Sequence, residues 1–172
     1  MLAALSVTAL LGCGSLPLRR FAEASPRFDP EQFFTGQTRS WGVFENRSGE
    51  PVHRFTTVAE GREQNGELVL HQNFSYDDGT TQERLWHIRR MDAHHLEATA
   101  NDVVGKAKGE VYGNAFRWEY TVALHPGNPL FNVQLKQWMY LQAGGHVVVN
   151  RGTISKLGVE VAQVTEYFHR AE

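Results

Sequence analysis

Cysteine is almost absent from this 172-residue chain, which carries Cys13 and no other. No internal disulfide can form, and no cysteine-based metal site can be assembled. Charge of either sign is also in short supply as a net quantity: 17 Lys and Arg stand against 19 Asp and Glu, a formal charge of −2. Such a balance gives no general attraction to nucleic acid or to anionic lipid, so no nucleic-acid partner is expected. The uncharged, mostly apolar run Leu2 to Leu11 is too short to span a bilayer as a helix. Helical periodicity is missing as well. From Ser40 onward no apolar pattern at helical spacing lasts a dozen residues, which excludes a helical bundle and leaves no room for crossover helices.

What is present at the N-terminus concerns location. Leu10-Leu11-Gly12-Cys13 closes the apolar run with a small residue and the lone thiol, the arrangement of a bacterial lipoprotein signal, in which the peptidase cuts before a diacylglycerol-bearing cysteine. The competing reading is a buried helix with Cys13 as a small core residue. Against the signal stand the missing basic n-region, with Arg19 and Arg20 lying after the cysteine, and the size of Leu11. The expected organisation is a signal peptide over residues 1–12, a lipidated tether over 13–28 and one domain over 29–172. Membrane attachment would come through N-terminal acyl chains. Gly14 in place of an aspartate points to the outer membrane, facing the periplasm. A monomer is expected.

The body reads as all-β. Asp29 can cap a short helix that begins at Pro30 and ends before Gly36. Strands are then expected over 41–45, 52–58, 68–76, 81–89, 96–100, 107–112, 116–124, 133–141, 147–150 and 159–168, with Gly61 to Gly66 bracketing a break. Asp77-Asp78-Gly79 marks a hairpin. About ten consecutive antiparallel strands bury their edges most simply by closing into an up-and-down, lipocalin-like barrel, the alternative being a two-sheet sandwich. Phe116-Arg117-Trp118-Glu119-Tyr120-Thr121-Val122 alternates an aromatic face with a polar one.

If that aromatic face points inward, Trp118 and Tyr120 line the interior, and by similar pattern so do Trp86, Trp138 and Tyr140. These rings either fill the barrel or frame a cavity for an acyl chain or another hydrophobic molecule. Two polar clusters accompany them. Asn101-Asp102 with Gly105 and Gly109 matches neither glycine fingerprint of phosphate loops; the glycines suit bends or bulges and Asn101-Asp102 a side-chain turn. Asn150-Arg151 through Lys156 could meet a carboxylate or phosphate head group at a barrel mouth, or pair with Asp102 or Glu160. The eight histidines show no ligand spacing, and adjacent His94 and His95 would face opposite sides of a strand. No nucleophile stands out, and neither a metal nor a cofactor is expected.

Several dispersed motifs carry a resemblance. Phe34-Thr35-Gly36 with Trp41-Gly42-Val43-Phe44, Asp102 through Gly109 with Gly113-Asn114-Ala115 and Trp118-Glu119-Tyr120, Trp138-Met139-Tyr140, and Asn150-Arg151 with Ser155-Lys156-Leu157-Gly158-Val159 together resemble the bacterial lipoprotein family called domain of unknown function 3833. The resemblance covers the whole expected mature domain and implies a lipoprotein signal. Lys136-Gln137 stands where the family typically has two aspartates, and Asn101 where it usually has an acid. A carboxylate-dependent enzyme is accordingly disfavoured. The expectation is an envelope lipoprotein whose barrel binds or shuttles a hydrophobic ligand. A filled-barrel assembly protein is the alternative, as is an enzyme on a lipid-like substrate using Asp102, Arg151 and Lys156.

Overall fold

The computed structural model describes residues 17–171. Ten antiparallel strands follow a 3-10 turn at Leu18–Phe21 and a one-turn helix, α1, at Pro30–Phe34. They are β1 Gly36–Asn46, β2 Pro51–Gln64, β3 Glu67–Tyr76, β4 Thr81–Arg90, β5 His95–Ala100, β6 Ala107–Tyr112, β7 Ala115–Ala123, β8 Asn132–Leu141, β9 Val147–Lys156 and β10 Val159–Arg170. Each strand pairs with its sequence neighbour, and β1 closes on β10 through pairs such as Ser40 with Phe168 and Gly42 with Glu166. The result is the up-and-down barrel expected from the strand count and the lack of crossovers. Closure leaves no sheet edge for the ladder to expose.

Alternation along the strands sets the inside. Phe116, Trp118, Tyr120 and Val122 of β7 are buried, as are Val133, Gln137, Met139 and Leu141 of β8. Trp138 and Tyr140 fall between the buried positions of β8, so the pleat carries them to the outer wall rather than into the lumen. There Trp138 lies under the Arg117 guanidinium, and Tyr140 packs against Phe21.

Helix α1 and the rings around it plug one end. Asp29 caps α1 by accepting from the Gln32 amide, and Arg90 bonds Asp29 and Glu31 from the end of β4. Phe33 and Phe34 meet edge to face, Phe34 meets Phe168, and Phe28 meets Phe33 and Phe116. Gly61, expected at a break between strands, sits inside β2, opposite Leu70 and Gly36. A Cβ there would lie 1.9 Å from the Phe34 carbonyl oxygen, so the glycine makes room for the plug. The turn comes later, at Asn65-Gly66, where both residues take positive φ. Part of the expected tether is also folded: Leu18 is buried, the Phe28 amide donates to the Gly113 carbonyl, and the chain between them packs on the β6–β7 hairpin. Cys13 and the expected signal peptide lie outside the described residues.

At the opposite end lie the β1–β2, β3–β4, β5–β6, β7–β8 and β9–β10 connections. This rim exposes Leu124, Leu130, Phe131 and Leu157.

Candidate functional site

The lumen holds a cavity of about 100 Å³, several times the roughly 10–15 Å³ that one water occupies on this measure. The barrel is thus neither packed solid nor widely hollow. Pro30, Phe34, Leu68, Ile88 and Phe168 line its plugged end and are all buried, whereas Phe44, Phe74 and Tyr76 at the other end are partly exposed. The cavity therefore opens away from α1. Phe55 packs against Phe44, Phe74 and Tyr76 at that mouth, with centroids 4.9 to 6.1 Å apart.

Trp86, Trp118 and Tyr120 stand on the cavity wall. Trp86 and Tyr120 meet edge to face at 5.2 Å, and Trp86 is tilted against Trp118 at 5.7 Å. Gly109, expected at a bend, is the space for these rings: a Cβ there would come within 2.5 Å of Trp118. Gly105 does serve a turn, with positive φ in the β5–β6 connection.

Desolvated polar groups form a girdle at mid-height. The Trp86 indole N–H donates to Gln72 at 2.9 Å, and the Tyr120 hydroxyl donates to Gln137 at 3.2 Å. Nearer the mouth, Arg84 grips Asp102 in a fork, Nε to Oδ1 at 2.8 Å and Nη2 to Oδ2 at 2.7 Å. Gln82 donates to the same carboxylate and accepts from the Tyr76 hydroxyl. The guanidinium also lies 5.5 to 5.8 Å from the centroids of Phe74, Trp86 and Tyr120. The Asp102 side chain therefore serves as the ion-pair partner of Arg84 rather than closing the turn in which it lies. Asn101 alone takes the side-chain-to-backbone role, accepting from the Leu85 amide and donating to the Glu83 carbonyl.

Glu166 of β10 is the other charged group on the cavity wall. It is 5% exposed, accepts from the Ser40 hydroxyl at 2.7 Å and from the Asn150 amide at 3.2 Å, and has no salt bridge among the described residues. Burial pushes its carboxyl up to about 7, with Ser40, Asn150 and the Arg84 charge pulling the other way. Burial likewise raises the Tyr76 and Tyr120 phenols.

The remaining expected site residues separate. Asn150 is fully buried and faces Glu166 across the β9–β10 ladder. Arg151, the next residue, points to the outer wall between Trp138 and Thr165. Lys156 ends β9 at the rim, with its ammonium over the Phe131 ring at 5.4 Å. Strand alternation thus places Arg151 outside, while Asp102 in the β5–β6 connection pairs with Arg84, and no site combining Asp102, Arg151 and Lys156 is formed. Arg84 and Glu166 escaped the sequence reading. Their signal was an ionisable residue on an apolar alternating face, Arg84-x-Trp86-x-Ile88 and Val164-x-Glu166-x-Phe168. Among the described residues no group of three His, Asp or Glu side chains is placed to hold a metal ion, and no helix is long and apolar enough to cross a membrane.

The model of the family described as Protein of unknown function (DUF3833) matches residues 7–170. The chain belongs to this family. No curated protein matches the sequence. Among solved structures, this DUF3833 barrel is similar to the S-type phycobiliprotein lyase CPES from Guillardia theta, with a TM-score of 0.62 at 7% identity over 83% of this chain and 90% of that one. It is also similar to a protein of unknown function from the DUF3598 family of Nostoc punctiforme PCC 73102, with a TM-score of 0.60 at 13% identity. That match covers 86% of this chain and 51% of the other. At these identities the likeness is one of fold.

Proposed function

We propose that this barrel is a binding protein for a small, largely apolar molecule that carries a polar group, and that a lipid on Cys13 holds it in the cell envelope. The observation that carries the binding reading is the lumen itself. A core built for stability alone would seal this space with aliphatic side chains, since buried polar and charged groups are costly unless fully matched. Here aromatic rings surround a cavity that opens at one end, and Arg84, Gln137 and Glu166 are held along its wall, with Asp102 pairing Arg84 from behind. A small apolar pocket with a few convergent polar groups is the usual form of a ligand site. The fold shared with a phycobiliprotein lyase is compatible with this reading.

The polar girdle argues for a compact ligand with functional groups along its body rather than a bare acyl chain. The filled-barrel alternative is disfavoured by the cavity. Two measurements test the proposal. Solvent extraction of protein purified from its native host, followed by mass spectrometry, should release a species enriched over a tag-matched control; no such species would count against binding. Cys13→Ser should move the protein out of the membrane fraction, and a variant that remains lipid-modified would overturn the anchor.

A further inference from the structure

The lumen's charges do not cancel. Arg84 is committed to Asp102 through two nitrogens and to three ring faces. Among the described residues Glu166 has neutral partners alone, Ser40 and Asn150, each contributing one hydrogen bond to a different carboxylate oxygen. Every carboxylate oxygen has a second lone pair to offer, and Glu166 forms part of the cavity wall. An ionised Glu166 therefore leaves one negative charge in a desolvated chamber. An anionic guest would add to that charge; a cationic one would remove it.

The surroundings point the same way. Tyr76 and Tyr120 present aromatic surface to the cavity beside Phe44, Phe74, Trp86 and Trp118, and aromatic faces attract organic cations while accepting apolar bodies. We infer that the lumen accepts a small apolar molecule bearing a cationic nitrogen, with Glu166 as its counter-ion. This rests on the reading of the barrel as a ligand-binding protein and specifies its ligand class.

The groups that face Glu166 are Ser40 from β1 and Asn150 from β9 by contact, Arg84 from β4 and Gln137 from β8 across the cavity, Tyr76 from β3, Tyr120 from β7, and Asp102 beyond Arg84. Burial lifts the Glu166 carboxyl to about 7, while it moves both phenols further above their ordinary range. A cationic guest should therefore bind better once Glu166 has lost its proton.

The experiment compares three probes with one apolar body: naphthylmethylamine, naphthylmethanol and naphthoic acid, each titrated into the full-length protein by calorimetry. At about pH 8 the ammonium should bind roughly tenfold or more tighter than the alcohol, and at about pH 5.5 that preference should shrink to under about threefold. Glu166→Gln should abolish the preference of amine over alcohol; Glu166→Asp, which keeps the charge, should retain part of it. A wild-type protein that binds the alcohol as well as the amine, or prefers the acid, overturns the counter-ion role and leaves the binding barrel standing. Failure of all three probes to bind overturns both.

Discussion

Two side chains govern what single substitutions should reveal. Removing the carboxylate in Asp102→Ala would strand the Arg84 guanidinium, whose side chain is 11% exposed, and unpairing a buried charge costs about 3–5 kcal/mol. Urea denaturation of the variant should show that loss, whereas the double variant Arg84→Met with Asp102→Ala should recover much of it. Glu166 should make stability depend on pH. Its carboxyl titrates near 7 in the folded protein against 4.5 when unperturbed, so between these values the folded state holds a proton that the unfolded chain has lost. Stability from this group is complete below the lower value, falls by about 3 kcal/mol as pH rises through the window, and is level above it. Glu166→Gln should flatten that slope in chemical denaturation run across the same range. The aromatic lining was legible in the sequence because an alternating ring pattern on β7 has one interpretation in a closed sheet. Arg84 and Glu166 were not, because a charged residue looks solvated until the strand across the barrel is known. Trp138 and Tyr140 misled for a related reason: the end of β8, Trp138-Met139-Tyr140-Leu141, is apolar on both faces, so composition there could not choose which side pointed in.

At the level of elements, the strands themselves were readable from β-forming runs and turn residues, and the Asp77-Asp78-Gly79 hairpin stands where the sequence put it, with Asp78 accepting from the Thr80 amide and hydroxyl. Boundaries were less legible. The strand expected over 147–150 runs on to Lys156, because pairing with both β8 and β10 outweighs the weak local signal of the Arg151 to Lys156 stretch. Gly61 looked like a breaker, although its role is to admit the Phe34 carbonyl. That contact gives a test at the scale of α1. Gly61→Ala should force the helix away from the sheet, costing about 1–3 kcal/mol as overpacking does. A lower thermal midpoint together with faster amide exchange in α1 and its neighbours, but not around the β3–β4 hairpin, would mark local loosening of the plug.

For the whole molecule, closure joins residues far apart in sequence, Thr38 with Arg170 and Phe44 with Val164. Most pairings are hairpins between neighbours, but the last one completes the ring. Deleting residues 159–172 should therefore do more than remove a strand: it exposes the edges of β1 and β9 together and takes away Glu166 and Phe168. The truncated chain should lose its cooperative thermal transition by circular dichroism and associate with itself. A truncated protein that melts as sharply as the intact one would contradict this dependence. The packing of residues 18–28 on the β6–β7 hairpin also fixes a direction. With Cys13 as the proposed attachment point, three residues separate it from Pro17, and such a leash reaches no more than about 15 Å. Leu18 and Phe28 dock at the α1 end. The proposed anchor would then hold the plugged base toward the bilayer and the mouth, with its exposed Leu124, Leu130, Phe131 and Leu157, away from it, so that a guest would enter from the aqueous side.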